Sequence, residues 1–462
     1  VDINTFKRVY FIGIGGIGMS ALARYFKATG KDVAGYDRTN TVLTGELMNS
    51  GINIHFKDDI ELIPNDYLKT SGTLVIITPA IPVDHKELTH FRKNNFKIFK
   101  RSEILGLIVN KKNNIAVSGT HGKTTVSTMI AHILSHSRTG CSAFLGGISK
   151  NFNSNLVFNE KSNYMITEAD EFDRSFLKLF PYFTVITAID ADHLDIYGSK
   201  DELDKTFNQF VNQTKKGGTV LVKKGLKLSL KYDYDYYTYT LTNNADFYAC
   251  NISLNNDTYN FDVVTPTIKI KNLILKNTGI VNVENAVAAA AVSYLIGIDQ
   301  ETIRDALGKY TGITRRFDYL IKTKELVYID DYAHHPQELN AVINSVRELY
   351  PDRKVTGIFQ PHLYSRTRDF ANEFAESLGN LDELILLDIY PARELPIKNI
   401  TSKVIYDKVK LQNKELCEKK DLLNKLRKRH VEVLLTLGAG DIDQYVEPIK
   451  KLLTDNMNIN KK

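Results

Sequence analysis

An apolar run at 114–118, a glycine-bounded turn Gly119-Thr120-His121-Gly122-Lys123-Thr124 and a helical pattern at 126–134 follow one another without a break. A strand that turns through glycines straight into a helix is a unit of parallel α/β sheets, so this stretch constrains the fold more than any other. It also constrains the chemistry. Glycines let backbone N–H groups close on phosphate oxygens, and a helix N-terminus adds about half a positive charge. Lys123 can neutralise terminal phosphates and the Thr124 hydroxyl can bind Mg²⁺. The spacing is a shortened GxxGKT variant, because Val117 stands five positions before Gly122. The stretch predicts a nucleoside triphosphate site.

The same grammar recurs along the chain. Strand-like runs at 8–12, 32–37 and 74–77 make a first unit, with Gly13-Ile14-Gly15-Gly16-Ile17-Gly18 leading into a helix at 19–29. Gly13, Gly15 and Gly18 match a diphosphate-binding fingerprint, and Asp37 stands about twenty residues on. From the residues alone the ligand is either NAD or a UDP-sugar. Runs at 164–167 and 183–189 end in acidic loops, Glu168-Ala169-Asp170-Glu171-Phe172-Asp173 and Asp190-Ala191-Asp192-His193-Leu194-Asp195. Beside a phosphate cradle such carboxylates suit Mg²⁺, and His193 between two acids is a metal candidate. Tyr232, Tyr234, Tyr236, Tyr237 and Tyr239 read as packed strand edges rather than as a base-stacking surface. Asn282 and Asn285, three apart at the start of a helix at 285–295, face one way, which suits either an adenine edge or helix capping.

A third unit carries runs at 326–329, 354–359, 383–387 and 431–437. Arg315-Arg316-Phe317 lies at its entry, Asp330-Asp331-Tyr332-Ala333-His334-His335-Pro336 at one strand end and Pro361 to Asp369 after the next. Arginines there can grip carboxylates. The adjacent histidines point opposite ways in extended chain, which argues against zinc. The Lys-rich stretch at 408–429 reads as a solvated helix face.

A chain of 462 residues suggests about three domains. Its net charge of +6, spread over 60 basic and 54 acidic residues, gives no footing for nucleic acid. Three cysteines without CxxC spacing fit a reducing compartment. No signal-peptide pattern opens the chain, and its longest apolar stretch, 286–298, is too short to span a bilayer. A cytoplasmic protein without membrane insertion is expected.

Taken in order, the strings GIGGIGMSALA, GTHGKTT, EADEFDRSFL, DADHLDIYG, RRF, DDYAHHP, FQPHLYSRTRD and GAGDI resemble the Mur ligases of peptidoglycan synthesis. The resemblance covers nearly the whole chain and is nearest to members that attach L-alanine to UDP-N-acetylmuramate. It implies an α/β protein of three domains: a Rossmann-like UDP-sugar domain at 1–108, a central ATP domain with an added β-rich part at 109–312, and a Rossmann-like closing domain at 313–462. By this resemblance Gly13, Gly15, Gly16, Gly18, Asp37, Thr78 and Ala80 serve UDP-N-acetylmuramate. Gly119, Thr120, His121, Gly122, Lys123, Thr124, Thr125, Asn282 and Asn285 serve ATP, with Arg316 and Asp331 joining from the third domain. Thr124, Glu168 and His193 hold Mg²⁺, and Lys123, Glu168, His193, Arg316 and Asp331 form the catalytic set. Tyr332, His334, His362 and Arg366 surround L-alanine. Val281, Ala333 and Leu363 depart from the family pattern, and with Leu363 not basic, Arg366 carries more of the amino-acid carboxylate. The alternatives are a ligase that recycles a whole tripeptide onto the same sugar, an NAD-dependent dehydrogenase, and a nucleotide-binding regulator without catalysis. Oligomeric state stays open between monomer and dimer.

Overall fold

A computed structural model describes residues 2–190, 194–255, 257–276, 279–392 and 394–459. The chain has a three-domain α/β fold built on three sheets of five, ten and six strands. It packs as two compact units. The first is Val1–Ser253, Tyr259–Leu275 and Val283–Tyr310; the second is Leu254–Thr258, Lys276–Asn282 and Thr311–Lys462.

In the first unit, β1 (Arg8–Ile12), β2 (Asp32–Tyr36), β3 (Asn53–His55), β4 (Thr73–Ile77) and β5 (Lys97–Lys100) form an all-parallel sheet in the order β3-β2-β1-β4-β5. Val9 to Ile12 are fully buried, as expected of a central strand covered on both faces. The order reverses beside β1, where an open parallel sheet offers its ligand crevice.

The ten-stranded sheet holds β6 (Asn113–Ser118), β7 (Ser142–Ser149), β8 (Ser154–Val157), β9 (Tyr164–Ala169), β10 (Phe183–Ile186), β11 (Thr219–Lys223), β12 (Asp235–Thr240), β13 (Phe247–Asn255), β14 (Thr258–Val264) and β15 (Lys269–Lys276). Its order is β15-β14-β13-β12-β11-β10-β6-β9-β7-β8. The strands β10, β6 and β9 run parallel, so their C-terminal ends share one edge. The first two sheets share a continuous core in which Phe26, Ile104, Ile108, Phe144 and Phe176 pack together. Asn155 Nδ2 fastens the two, donating to Ile17 O at 2.6 Å and Ser20 Oγ at 2.9 Å. Tyr239 is buried in β12 and Tyr237 packs edge-on against Phe247, which fits strand packing for these two, whereas Tyr232 lies outside the strand and is exposed, as is Tyr236.

One buried polar knot lies inside the first sheet. Tyr10 hydroxyl bridges Glu87 Oε2 and His55 Nε2, each at 2.8 Å. Glu87 is fully buried, and burial pushes its carboxyl up to about 8.

The second unit has β16 (Asp318–Lys322), β17 (Val327–Asp331), β18 (Val355–Phe359), β19 (Glu383–Leu387), β20 (Lys414–Cys417) and β21 (Val433–Leu437) in the order β16-β17-β21-β18-β19-β20. All pairs are parallel except β16–β17. The stretch 408–429 is not one solvated helix: it contains β20, paired with β19, and the helix Leu422–Arg427. A four-residue edge strand reading Lys-Glu-Leu-Cys is too short and too mixed to show an apolar alternation, which is why composition misassigns it.

Candidate active site

The glycine-bounded turn joins β6 to the helix Lys123–His136. Gly119 has φ +137°, and a Cβ there would stand 2.3 Å from Thr187 Oγ1 and 2.6 Å from Ala188 N, so only glycine lets the loop pass β10's exit. Gly122, at φ +84°, faces Asn285 Oδ1, to which a Cβ would approach within 2.9 Å. Asn285 is buried on the helix Ile280–Leu295, and Asn282 lies half-buried one turn earlier. Thr120 and Asp190 are tied through Asp190 N to Thr120 Oγ1 at 3.1 Å, and His121 Nε2 stands 3.7 Å from Asp190 Oδ2. Thr125 follows in the first turn of the helix.

Two acids from the end of β9 divide the work beside this turn. Glu168 accepts from Thr124 Oγ1 at 3.0 Å, Ser127 Oγ at 3.3 Å and Gly146 N at 2.6 Å. Glu171 accepts from Lys123 Nζ at 2.9 and 2.8 Å, and the same Nζ donates to Gly119 O at 2.6 Å. Burial opposes the Lys123 charge, but the carboxylates of Glu171, Asp170 and Glu168 together hold the ammonium above its usual pKa. The hydroxyl and carboxylate of Thr124 and Glu168 are hard oxygen donors side by side, a donor pair that fits Mg²⁺. His193 lies outside the described residues.

At the crevice of the first sheet, Gly13 has φ +87° and a Cβ would stand 2.6 Å from the Thr78 methyl, so the loops after β1 and β4 touch. Gly15 N donates to Asp37 Oδ2 at 2.7 Å, while Asp37 Oδ1 accepts from Thr39 N at 3.0 Å. Asp37 therefore organises the loop. Gly16 caps the helix Ile17–Ala28, Gly18 lies under the Arg101 guanidinium, and Ala80 is exposed beyond β4. Arg101 also lines a narrow cleft with Glu168 and Asp170. Arg101 thus touches Gly18 of the glycine loop and lines one cleft with Glu168 of the phosphate cradle, inside the first unit.

In the second unit, residues after β17 and β18 meet at one edge. Arg315 donates from Nε to buried Asp330 at 2.9 Å and from Nη2 to Gly438 O at 2.7 Å. The Arg315 and Arg316 guanidinium groups each lie 5.4 Å from the Tyr332 ring centre. Asp331 accepts from Phe317 N at 2.6 Å and Ala333 N at 2.7 Å, so it pins the turn that presents Arg316. Burial pushes the Asp331 carboxyl up to about 6. His334 packs 5.2 Å from Tyr332 and 5.6 Å from His362. Burial lowers the His334 pKa; the nearby Glu338 carboxylate works against that shift and the positive charge of Arg366 adds to it. The four residues expected around L-alanine are thus gathered in one place. His335 packs against Phe370, away from the His334–His362 contact.

Three residues near these groups escaped the sequence reading. Glu171 was one acid among four; Arg101 opens a helix eighty-odd residues beyond the loop it covers. Glu338 accepts from His334 N at 3.0 Å and stands 3.8 Å from Arg316 Nη1. Its signal was the helix start after Pro336, where an acid at the third position serves the backbone.

Three family models match the chain: Mur ligase family, catalytic domain, at residues 8–113; Mur ligase middle domain at 117–293; and Mur ligase, glutamate ligase domain, at 315–440. The UDP-N-acetylmuramate–L-alanine ligase of Phocaeicola vulgatus is 50% identical over 456 residues, covering 98% of this chain and 99% of the relative. That of Parabacteroides distasonis is 50% identical over 455 residues, with 98% of each chain covered. The crystal structure of UDP-N-acetylmuramate–alanine ligase from Thermotoga maritima matches with a TM-score of 0.80 at 29% identity, over 97% of this chain and 99% of that one. A murein peptide ligase from Psychrobacter arcticus shares the fold, with a TM-score of 0.71 at 20% identity over 97% of this chain and 98% of that one.

Proposed function

This chain belongs to the Mur ligase family, and we infer that it is an ATP-dependent ligase joining L-alanine to the lactyl carboxylate of UDP-N-acetylmuramate in peptidoglycan precursor synthesis. One observation carries the reading. The Lys123 ammonium and the Thr124–Glu168 pair stand together at the strand ends of a chain half identical, over nearly its full length, to relatives named for that reaction.

A carboxylate is a poor electrophile, so the ATP γ-phosphoryl group passes first to a lactyl carboxylate oxygen, giving an acyl phosphate and ADP. The L-alanine nitrogen then attacks the acyl carbon, a tetrahedral intermediate forms, and the C–O bond to phosphate breaks. The amine protons leave to solvent or a nearby base. In this reading the backbone of Gly119 to Thr125 and the helix N-terminus bind the ATP phosphates, and Lys123 neutralises charge on the transferring group. Thr124 and Glu168 would hold one Mg²⁺ and His193 a second, and such ions when bound withdraw charge from the phosphate oxygens. Asn282 and Asn285 face adenine, and Arg316, on the turn pinned by Asp331, adds a third positive group. The loop of Gly13, Gly15, Gly16 and Gly18, with Asp37, Thr78 and Ala80, receives the UDP diphosphate. Tyr332, His334, His362 and Arg366 receive L-alanine, with Arg366 on its carboxylate. Domain limits after 108 and 312 and a cytoplasmic location belong to the same proposal.

The test is product formation followed by mass spectrometry, with Lys123→Ala beside the wild type. Loss of at least about 3 kcal/mol of barrier stabilisation, more than a hundredfold in turnover, is expected, with UDP-sugar binding intact. Near-normal turnover would remove Lys123 from the mechanism.

A further inference from the structure

An ammonium has three N–H groups. In Lys123 two go to the Glu171 carboxylate, at 2.9 and 2.8 Å, and the third suits Gly119 O at 2.6 Å. Glu171 is fully buried, and its placement is built rather than incidental. Tyr197 hydroxyl donates to Glu171 O at 2.5 Å and Arg174 N to the same oxygen at 2.9 Å. Beyond it Asp173 and Arg174 adopt left-handed φ of 55° and 54°, a conformation disfavoured for residues with a Cβ. A tight turn is thus held against its local preference, and it delivers one carboxylate to the phosphate-binding lysine. Glu168 is committed elsewhere, to Thr124, Ser127 and Gly146.

Because every donor of Lys123 is engaged, a phosphate can be gripped only in exchange for one of these bonds, and the Glu171 carboxylate is the partner that a phosphate matches in charge. We propose that Glu171 is a positioning residue that acts as an internal substitute for phosphate, surrendering the Lys123 ammonium when ATP binds and recovering it as phosphate products leave. This rests on the reading that Lys123 holds the ATP phosphates. The exchange keeps the lysine extended toward the loop at every stage, and it sets nucleotide affinity lower than the cradle alone would give. Fast release is the return for weaker binding.

The experiment is calorimetric titration of the full chain with Mg²⁺ and a non-hydrolysable ATP analogue, in wild type, E171Q, E171D, K123M and K123M/E171Q, with steady-state kinetics on the active variants. An amide contests the ammonium less than a carboxylate, by the difference between neutral and charge-assisted hydrogen bonds, so E171Q should bind the analogue about tenfold more tightly. Its KM for ATP and its kcat should fall together. E171D keeps the charge at shorter reach and should lie between wild type and E171Q. In the K123M background the E171Q effect should disappear. A role confined to structural support would move the other way, weakening analogue binding. Unchanged or weaker binding by E171Q overturns the exchange, as does tightening that persists undiminished without Lys123. If E171Q does not fold, E171D decides: severalfold tighter binding is expected, and wild-type affinity refutes it. Should K123M alone leave affinity unchanged, the underlying assignment of Lys123 to phosphate fails instead.

Discussion

Lys123→Met takes the lysine counter-charge from a buried carboxylate, and the cost can be worked from the geometry. Glu171 is fully buried, and the Lys123 side chain is only 16% exposed. Removing one partner of a buried ion pair costs about 3–5 kcal/mol, because the remaining charge keeps its desolvation penalty without its counter-charge. Replacing both partners by neutral groups of similar size is near neutral. Lys123→Met alone should therefore destabilise the domain that contains it by about 3–5 kcal/mol. For a domain of 150–250 residues each kcal/mol moves the melting point by about 2–4 °C, so a fall of roughly 6–20 °C is expected. Adding Glu171→Gln should recover most of that loss, although the double variant has one more substitution. The coupling energy from the four-way cycle should exceed about 2 kcal/mol. Differential scanning calorimetry suits the test, since the chain has no tryptophan to report unfolding by fluorescence. A double variant no more stable than Lys123→Met, or additive losses, would show that the pair contributes no coupled stability.

Other expectations follow from the same structure. Gly15→Ala places a Cβ 2.9 Å from Asp37 Oδ2 and 2.8 Å from the Thr44 methyl, so it should weaken UDP-sugar binding while leaving ATP-analogue affinity unchanged by titration. Equal loss of both ligands would mean general unfolding. Glu87 has a carboxyl raised from 4.5 to about 8, so the folded state binds its proton more tightly and this group's contribution to stability declines as pH rises through that window. Glu87→Gln should flatten the decline in denaturant midpoints across it; parallel pH profiles for the two proteins would refute that account. Arg366→Ala should raise the KM for L-alanine at least tenfold with little change in the KM for ATP, since a charge-assisted contact to a carboxylate is worth about 1.5–3 kcal/mol.

The strand ends were legible because parallel sheets collect chemistry there. β6 exits into the phosphate loop, β9 into Glu168 and Glu171, β10 toward Asp190, and the glycine spacings marked two of the turns directly. What could not be read was which acid meets which donor. Four carboxylates in six residues are equivalent on paper, and the left-handed bend at Asp173 and Arg174 that aims Glu171 at Lys123 has no glycine to announce it. The bonds that Asp331 accepts from the N–H groups of Phe317 and Ala333 are likewise a local arrangement that only coordinates reveal. Arg101 was invisible for a different reason: its meeting with Gly18 depends on packing across the sheet. The edge strand β20 was hidden by its four-residue length and its mixed Lys-Glu-Leu-Cys sequence.

The most direct test of the central claim is phosphate release from ATP and Mg²⁺ in the presence of UDP-N-acetylmuramate, with L-alanine or the cell-wall tripeptide added separately. The account predicts release that requires both the UDP-sugar and L-alanine. Release supported by the tripeptide and not by L-alanine, or no release with either, would contradict it.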